Sequence, residues 1–575
     1  MDADTQKPGS APPNRLEQIK ARSNLLRGRI AAELAESTDR FSNETVQLLK
    51  FHGIYQQHDR DRGYQLGDAF RKANNACQFM LRIAVPGGQL SADQLLSQLE
   101  LCDEFGNGTL RLTSRQNVQM YGVLKPNLRT VLRRIHEMGL TTLGSCGDVR
   151  RNVACCPAPY RGDPVHDQMQ SLTSRLFNEL APRIDAYRQI WLDDAPAEAS
   201  AGEPVANEVD PLYGLTYLPR KFKVAVGLPG DNCVDIYAQD VGLLAICENF
   251  NVIGYNLLVG GGMGAASARA DTFPCLAQPI AMVWPGQAVE VVRAVLMVYR
   301  DFGNRSDRRV ARLRYLLADW GVERFKAEVE RYLGYPLDPP RTVDVWDTDD
   351  HLGWHEQGDG RWFYGLRVEN GRLLDRHGPR LKSALREICQ RYHPAIYITT
   401  GQSLILGDIA WEDRVGIDDQ FHRHEVPSAG ELSNLRRWSI ACASLPTCPM
   451  AATEGERVLP EIVDHLEREL ARLGLAQEVF SLRMTGCGNG CSRPYLADIG
   501  IVGRSPGRYA IYLGGRRIGD RLSFLYRDGV PLEQLVATLL PVLAYFKLFR
   551  NDGETLGEFC RRKGCGDLLQ NATVV

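Results

Sequence analysis

Several things are scarce in these 575 residues, and each scarcity removes a class of protein. No uninterrupted apolar run reaches the roughly 18 residues a bilayer span needs. The best candidate, Leu535 to Phe546, is short, carries Pro541 and reads as a buried helix. An excess of one charge is missing: 68 basic residues against 70 acidic ones leave a formal charge of −2, which argues against a global nucleic-acid or membrane-surface role. The N-terminal "MDADTQKPGSAPPNRLEQIK" has acidic residues and prolines where a signal peptide needs an apolar segment, and it lacks the Arg/Ser-rich, acid-poor pattern of a transit peptide. It reads as a flexible, untargeted arm, and the expected location is cytoplasmic. "VGGGMGAAS", Val259 to Ser267, lacks the G-x-G-x-x-G spacing and an acidic residue placed for a ribose, so close backbone approach to another ligand is the better reading.

What is present is the composition of a globular chain, 44% hydrophobic and 24% charged, too long for one core. Fifteen cysteines without export signals do not suggest a disulfide framework. Cys77, Cys247 and Cys389 stand singly in apolar runs and read as small core residues.

A polar arm leads into a helical pattern near Arg22 to Ser37. Beyond it the chain repeats. "RLTSRQNVQM" (Arg111 to Met120) aligns ungapped with "YITTGQSLIL" (Tyr397 to Leu406), each strand-like and each preceded by a strand, Gly turn and helix. The helices are expected over Ser91 to Cys102 and Pro379 to Tyr392. "YNLLVGG" from Tyr255 matches "YAIYLGG" from Tyr509 in the same order. The expected organisation is an arm at 1–70, then units at 71–165, 166–340, 345–430 and 431–575, with the acidic stretch Asp194 to Asp210 as a surface loop.

Cysteine spacing carries the strongest chemical signal. "CASLPTC" gives Cys442-x5-Cys448, and after 38 residues "CGNGC" gives Cys487-x3-Cys491. Four thiolates in two close pairs suit an iron–sulfur cluster, and five intervening residues are unusual for structural zinc. Zinc and unligated core cysteines remain alternatives. Glycines at 486, 488 and 490 let backbone NH groups approach the sulfurs.

Basic residues form the second signal. As one strand, Arg111 to Tyr121 puts Arg111, Thr113, Arg115, Asn117, Gln119 and Tyr121 on one face. "LPRKFK" puts Lys221 and Lys223 on one side of a strand, where two ammonium groups repel unless an anion sits between them. As a helix, "GNRSDRRVARLRYL" aligns Arg305, Arg308, Arg309 and Arg312. Each alone suits a solvated face; together they suggest anionic groups gathered at one place.

These motifs resemble, in order, those of the siroheme-containing sulfite and nitrite reductases. The likeness runs from "SNLLRG" at Ser23 and "FHGIYQQHDRD" through "RRNVACCPAPY", "LPRKFK", "NLLVGGGMG" and "LGWHEQGDG" to "GETLGEFCRRKG". It implies an α+β fold of internally duplicated, pseudo-twofold mixed α/β sheets, with ferredoxin-like half domains and helices around a central site. It also implies a [4Fe–4S] cluster on Cys442, Cys448, Cys487 and Cys491, with Cys491 also the axial ligand of siroheme iron. The family's anion-binding side chains fall on Arg82, Arg151, Lys221 and Lys223. Candidate siroheme contacts are Arg115, Gln119, Tyr121, Arg305, Arg308, Arg312, Gln402 and Asn489. The implied activity is six-electron reduction of sulfite to sulfide; nitrite reduction and a non-catalytic electron-transfer role are the alternatives. No flavin or nicotinamide domain is visible, so electrons must come from a partner. "DEFGNGTLRLT" and "LGWHEQGDG" look more like the ferredoxin-dependent branch than the NADPH-flavoprotein branch. Departures from the family pattern are Gly488 where proline is usual, Gly401 and Ser403 where asparagines are common, and Tyr121 where histidine often stands.

Overall fold

The computed structural model describes residues 11–58, 60, 77–193, 209–266 and 269–571. Most of the expected acidic loop, and much of the expected 1–70 arm, lie outside these residues. The described part of the arm is not uniformly loose. Asn14 accepts a hydrogen bond from Leu16 N and caps a helix over Arg15–Arg22. The helical pattern near Arg22 to Ser37 is interrupted, because Asn24, Leu25 and Leu26 take positive φ before a helix over Ile30–Ala35.

Four sheets carry the fold. The first runs β1 (Ile54–Gln57), β2 (Gln78–Ile83), β5 (Val118–Val123), β4 (Leu110–Leu112) and β12 (Arg372–Leu373). The second runs β10 (Gly353–Glu356), β11 (Trp362–Leu366), β14 (Leu404–Ile409), β13 (Ala395–Ile398) and β3 (Gln89–Leu90). Each therefore takes its last, two-residue strand from the other half of the chain, which locks the halves together through backbone hydrogen bonds. The third sheet runs β6 (Val224–Gly227), β7 (Val241–Glu248), β8 (Asn251–Val259) and β9 (Gln278–Val283). The fourth runs β15 (Ser439–Ala441), β16 (Leu482–Thr485), β17 (Ile499–Ser505), β18 (Arg508–Leu513) and β19 (Phe524–Pro531).

The duplication is visible bond by bond. In the turn between β4 and β5, Thr113 Oγ1 accepts from the backbone NH groups of Arg115 and Asn117, and left-handed Gln116 (φ 56°) donates its NH to Thr113 O. In the turn between β13 and β14, Thr399 Oγ1 accepts from Ser403 N, and Gln402 (φ 63°) donates its NH to Thr399 O. The third and fourth sheets share a register as well. Val224 pairs with Val241 and Val241 with Val259, as Leu482 pairs with Ile499 and Ile499 with Leu513.

These turns correct the reading of Arg111 to Tyr121 as one strand. The shared Thr and Gln close a hairpin, so Arg111 and Gln119 become cross-strand partners while Thr113, Arg115 and Asn117 leave that face. The expected helices do form, over Ala92–Phe105, capped by Ser91 with Gln94 in a capping box, and over Leu381–Tyr392. Cys77 and Cys389 are buried, but Cys247 is exposed near the end of β7. Leu532–Phe549 is long and apolar enough to cross a membrane, longer than the run counted in the sequence. Its Leu535, Leu539, Leu543 and Phe546 are buried in the core of the last unit.

Candidate redox and anion-binding site

The four cysteines lie on two loops at the ends of neighbouring parallel strands. Cys442 follows β15 directly, and Cys487 and Cys491 follow β16. Local sequence folds this turn. Thr485 Oγ1 donates to Cys487 O (2.5 Å), and Gly486 donates its NH to Cys442 Sγ (3.4 Å). A Cβ on Gly486 would stand 2.6 Å from Ser444 Oγ. Gly490 has φ +61°, and a Cβ there would lie 2.3 Å from Met263 O, so both positions exclude larger residues. Met263 belongs to the glycine loop after β8, whose Ala265 N donates to Gly488 O (2.7 Å). That loop's close approach is to the cysteine turn itself.

Burial pushes the Cys448 thiol up to about 11 and the Cys487 thiol up to about 12, and it raises Cys442 as well, reinforced by Cys491. A metal centre would take these protons' place and relieve the cost. Cys491 is the exposed member of the set. Ser114, at the tip of the first hairpin turn, donates its hydroxyl to Cys491 O (3.1 Å), so the first half of the chain touches the cysteine turn of the second.

Near Cys491 lies a group of cations that outnumber their one carboxylate, Asp240. Lys221 and Lys223 flank buried Phe222 in an extended segment that leads into β6, and neither ammonium has a hydrogen bond or ion pair among the described residues. Burial depresses both ammonium groups well below the ordinary lysine range. Lys223 and Arg312 add repulsion on Lys221, and Arg312 and Arg115 add it on Lys223, while Asp240 draws Lys223 back up and a thiolate at Cys491 would draw up both. Arg115 is lowered to about 9 by burial, with Arg151, Arg493 and Arg312 crowding it. Its Nη1 donates to Gln239 Oε1 (2.5 Å), whereas its Nε is buried without a partner. Arg82 Nε is equally orphaned, and its guanidinium lies 5.5 Å from the Tyr55 ring centre. Arg151 is anchored by donation to Gly147 O (3.0 Å) and Ser145 O (3.1 Å). Buried donors left open beside repelling cations are a surface made for anions.

The other expected contacts divide. Arg305 to Arg314 is not one helix: Asn304 Oδ1 accepts from Ser306 N and Asp307 N, Asp307 caps a single 3-10 turn, and the next helix starts only at Leu313. Arg305 consequently binds Glu17 and Tyr217 O, and Arg308 makes a bidentate pair with buried Asp148 (2.6 and 2.8 Å). Both brace the N-terminal helix and are not brought into the cation group. Arg312 reaches its edge but is held by Asp240 (2.7 Å), which also accepts from Lys223 N. Gln119 accepts from Tyr121 Oη (3.0 Å) and sits across from Arg82, in a buried network in which Glu456 joins Arg111 and Arg372. Gln402 is buried at the mirror position of Gln116, and Asn489 is exposed between two cysteines. Arg314, at the end of the arginine stretch Arg305 to Arg314 expected to meet siroheme carboxylates, has its Nε and Nη1 buried and unpartnered beside Gly262. Sequence reading missed Arg493, which ion-pairs with Asp235 across the two halves. Nothing in the spacing marked it, because its role depends on the pseudo-twofold contact.

A duplicated α+β scaffold, four cysteines on neighbouring loops and a group of cations beside them are features of a redox metalloprotein. The family description "nitrite and sulphite reductase 4Fe-4S domain" matches residues 176–337, and "nitrite/sulfite reductase ferredoxin-like half domain" matches 72–138 and 355–424. The first match falls on the copy that precedes the four cysteines. A ferredoxin sulfite reductase of Synechococcus elongatus is 40% identical over 570 residues, 97% of this chain and 90% of that one. An NADPH sulfite reductase hemoprotein beta-component of Chromohalobacter salexigens is 42% identical over 554 residues, 95% of each. The solved structure of Mycobacterium tuberculosis NirA superposes with a TM-score of 0.79 at 25% identity, covering 97% of this chain and 98% of that one. The chain belongs to the nitrite and sulfite reductase family, whose cofactors are siroheme and a [4Fe–4S] cluster. The orphaned nitrogens of Arg82, Arg115 and Arg314 fit a tetrapyrrole bearing carboxylates, and the four thiols fit the cluster.

Proposed function

We propose that this protein is a sulfite reductase that carries sulfur from +4 in sulfite to −2 in sulfide with six electrons, releasing the oxygens as water. The observation that carries this reading is the pair of unpartnered ammonium groups, Lys221 and Lys223, near Cys491 beside Arg82 and Arg151. Cys442, Cys448, Cys487 and Cys491 would hold the cluster, and Cys491 would help to hold siroheme as well; Arg115 and Arg314 would meet siroheme carboxylates. When bound, the two cofactors would supply the electrons and a redox-active iron. The chain's own residues do the rest. The guanidinium groups of Arg82 and Arg151 and the two lysines cancel the charge of the anion and orient its oxygens. A lysine with a depressed pKa is held ready to change protonation, so an anion arriving between Lys221 and Lys223 raises both and draws in the protons that leaving oxygens require.

Purified holoenzyme should release sulfide from sulfite with a reduced viologen dye. No sulfide, or a higher kcat/KM on nitrite, overturns the substrate assignment. For the donor we favour ferredoxin, on the motifs around Asp103 to Thr113 and Leu352 to Gly360; relatives named for either donor are about equally similar. Sulfide formation with reduced ferredoxin against an NADPH-dependent flavoprotein separates them. The division into an arm at 1–70 and units at 71–165, 166–340, 345–430 and 431–575 is proposed on the repeat, and limited proteolysis cutting first near 340–345 would support it.

A further inference from the structure

One buried cluster of metal-ligating side chains is left unused by the proposed reaction. The ligand atoms of Cys156, Asp231, Cys233 and His351 all lie within 4.8 Å of one another. Cys156 Sγ stands 2.9 Å from Asp231 Oδ2 and 3.5 Å from His351 Nε2, and that nitrogen is 3.1 Å from the same carboxylate oxygen. Neighbouring ligands of a tetrahedral zinc ion, with bonds of about 2.0–2.3 Å, stand about 3.3–3.8 Å apart, so only small shifts would be needed.

We propose that Cys156, Asp231, Cys233 and His351 bind one Zn²⁺ ion, forming a second metal site at the mirror position of the four-cysteine centre.

The register of the sheets places it there. The parallel bridge between Ala154 and Ala225 corresponds to the pair Ile440 and Arg483, because Val224 and Val241 take the places of Leu482 and Ile499. Counting from these pairs, Cys156 falls on Cys442, Cys233 on Cys491 and Asp231 on Asn489. Two of the four cluster sulfurs thus have sulfur counterparts, while Pro229 and the segment after Cys156 supply no equivalents of Cys487 and Cys448. A site with two sulfurs, one imidazole and one carboxylate is closed by four ligands and suits a single zinc ion. Cubane ligands, which hold separate corners, stand farther apart.

The surroundings are those of a prepared site. Asp231 Oδ1 accepts from Cys233 N (3.1 Å) and Asp349 N (3.0 Å), which turns Oδ2 toward the cluster. His351 Nδ1 is buried without a hydrogen bond, and Asp349 Oδ2 at 3.7 Å is near enough to accept from it after a small shift, as carboxylates commonly do from a ligating imidazole. His351 also holds a positive φ of 56° in the linker between the halves, a backbone conformation that is unusual for a non-glycine residue. Cys233 and His351 line a partly open cavity of about 50 Å³, which gives a metal access. Bound zinc would displace the two thiol protons and tie the linker to the first half of the chain.

The test uses holoenzyme made in zinc-supplemented medium and dialysed against a chelating resin. One zinc per chain beyond the iron is expected, and zinc-edge X-ray absorption of the unmutated protein should show two sulfur and two lighter scatterers. Cys233→Ser and His351→Gln should lower retained zinc about tenfold or more with iron unchanged, whereas Cys442→Ser should lose iron and keep zinc; Asp349→Asn should weaken zinc binding about tenfold. No retained zinc, a shell without sulfur, zinc unmoved by these variants, or a Cys156–Cys233 disulfide found by peptide mapping overturns the proposal. The absorption spectrum decides even if a variant fails to fold.

Discussion

Asp235 offers the sharpest test of how the two halves are held. It is 2% exposed, takes a left-handed φ of 47°, and accepts from Arg483 Nη1 (2.7 Å) and from Arg493 Nε, whose side chains are 8% and 7% exposed. Asp235 and Arg493 occupy mirror positions in the repeat, so this ion pair spans the pseudo-twofold axis. Replacing Asp235 by Asn keeps a residue that tolerates the left-handed conformation and removes only the charge. Two buried guanidinium groups would then lack an anion, and breaking a buried pair from one side costs about 3–5 kcal/mol. The expected result is a loss of that size in urea unfolding followed by far-UV CD, little altered by salt because the pair is buried.

The pH dependence has a definite sign. Burial alone would raise the Asp235 carboxyl, but Arg483 and Arg493 hold it below its ordinary value. Its contribution is therefore present above the unfolded value of about 4 and is lost as pH falls through the folded one. D235N should lack that acid-side component. A loss under about 1 kcal/mol, the range of an exposed pair, would refute the claim that this contact braces the halves.

Other expectations concern the site. Lys221→Met should weaken sulfite binding by about 1.5–3 kcal/mol, the worth of a hydrogen bond to a charged group. Because the free lysine is depressed and an anion raises it, wild-type sulfite binding should take up protons in calorimetry across buffers and weaken with rising pH; an uptake unchanged in Lys221→Met and Lys223→Met would remove the lysines from that role. Cys491→Ser should disturb heme ligation and cluster together in optical and EPR spectra, and unchanged ligation would refute the shared sulfur. Gly490→Ala, which meets both a positive φ and Met263 O, should lower cluster occupancy by iron analysis. Arg308→Ala should leave sulfite affinity unchanged while destabilising the N-terminal helix around Asp148, as read by hydrogen exchange.

Local patterns in the sequence were sufficient wherever one segment decides its own structure. The two cysteine pairs, the glycines that admit them, the capping box at Ser91 and the alternation that sets Lys221 and Lys223 on one side of buried Phe222 depend on near neighbours. The paired motifs disclosed the duplication because both copies must form the same turn around the same Thr and Gln. Residues 111–121 misled because alternation fits one strand as well as a hairpin; Thr113 and Gln116 decide for the turn. The arginines of 305–312 matched a helical face, but Asn304 and Asp307 compete for the backbone NH groups and send Arg305 and Arg308 to acidic partners distant in sequence.

Tertiary structure alone decided which cations keep counter-charges. Spacing cannot show that Asp148 and Asp240 claim Arg308 and Arg312 and leave Lys221, Lys223 and the Nε of Arg82 open, since those choices pair residues 70 or more positions apart. Nor can it show strands exchanged between halves, the Asp235–Arg493 contact, or Cys156 and Cys233 standing where the other copy places Cys442 and Cys491. The sequence by itself determined the cysteine spacing and the repeat, because these are local and covalent; the fold determined which cations stay unpaired and the mirrored cluster, because burial and charge pairing arise only when distant segments meet.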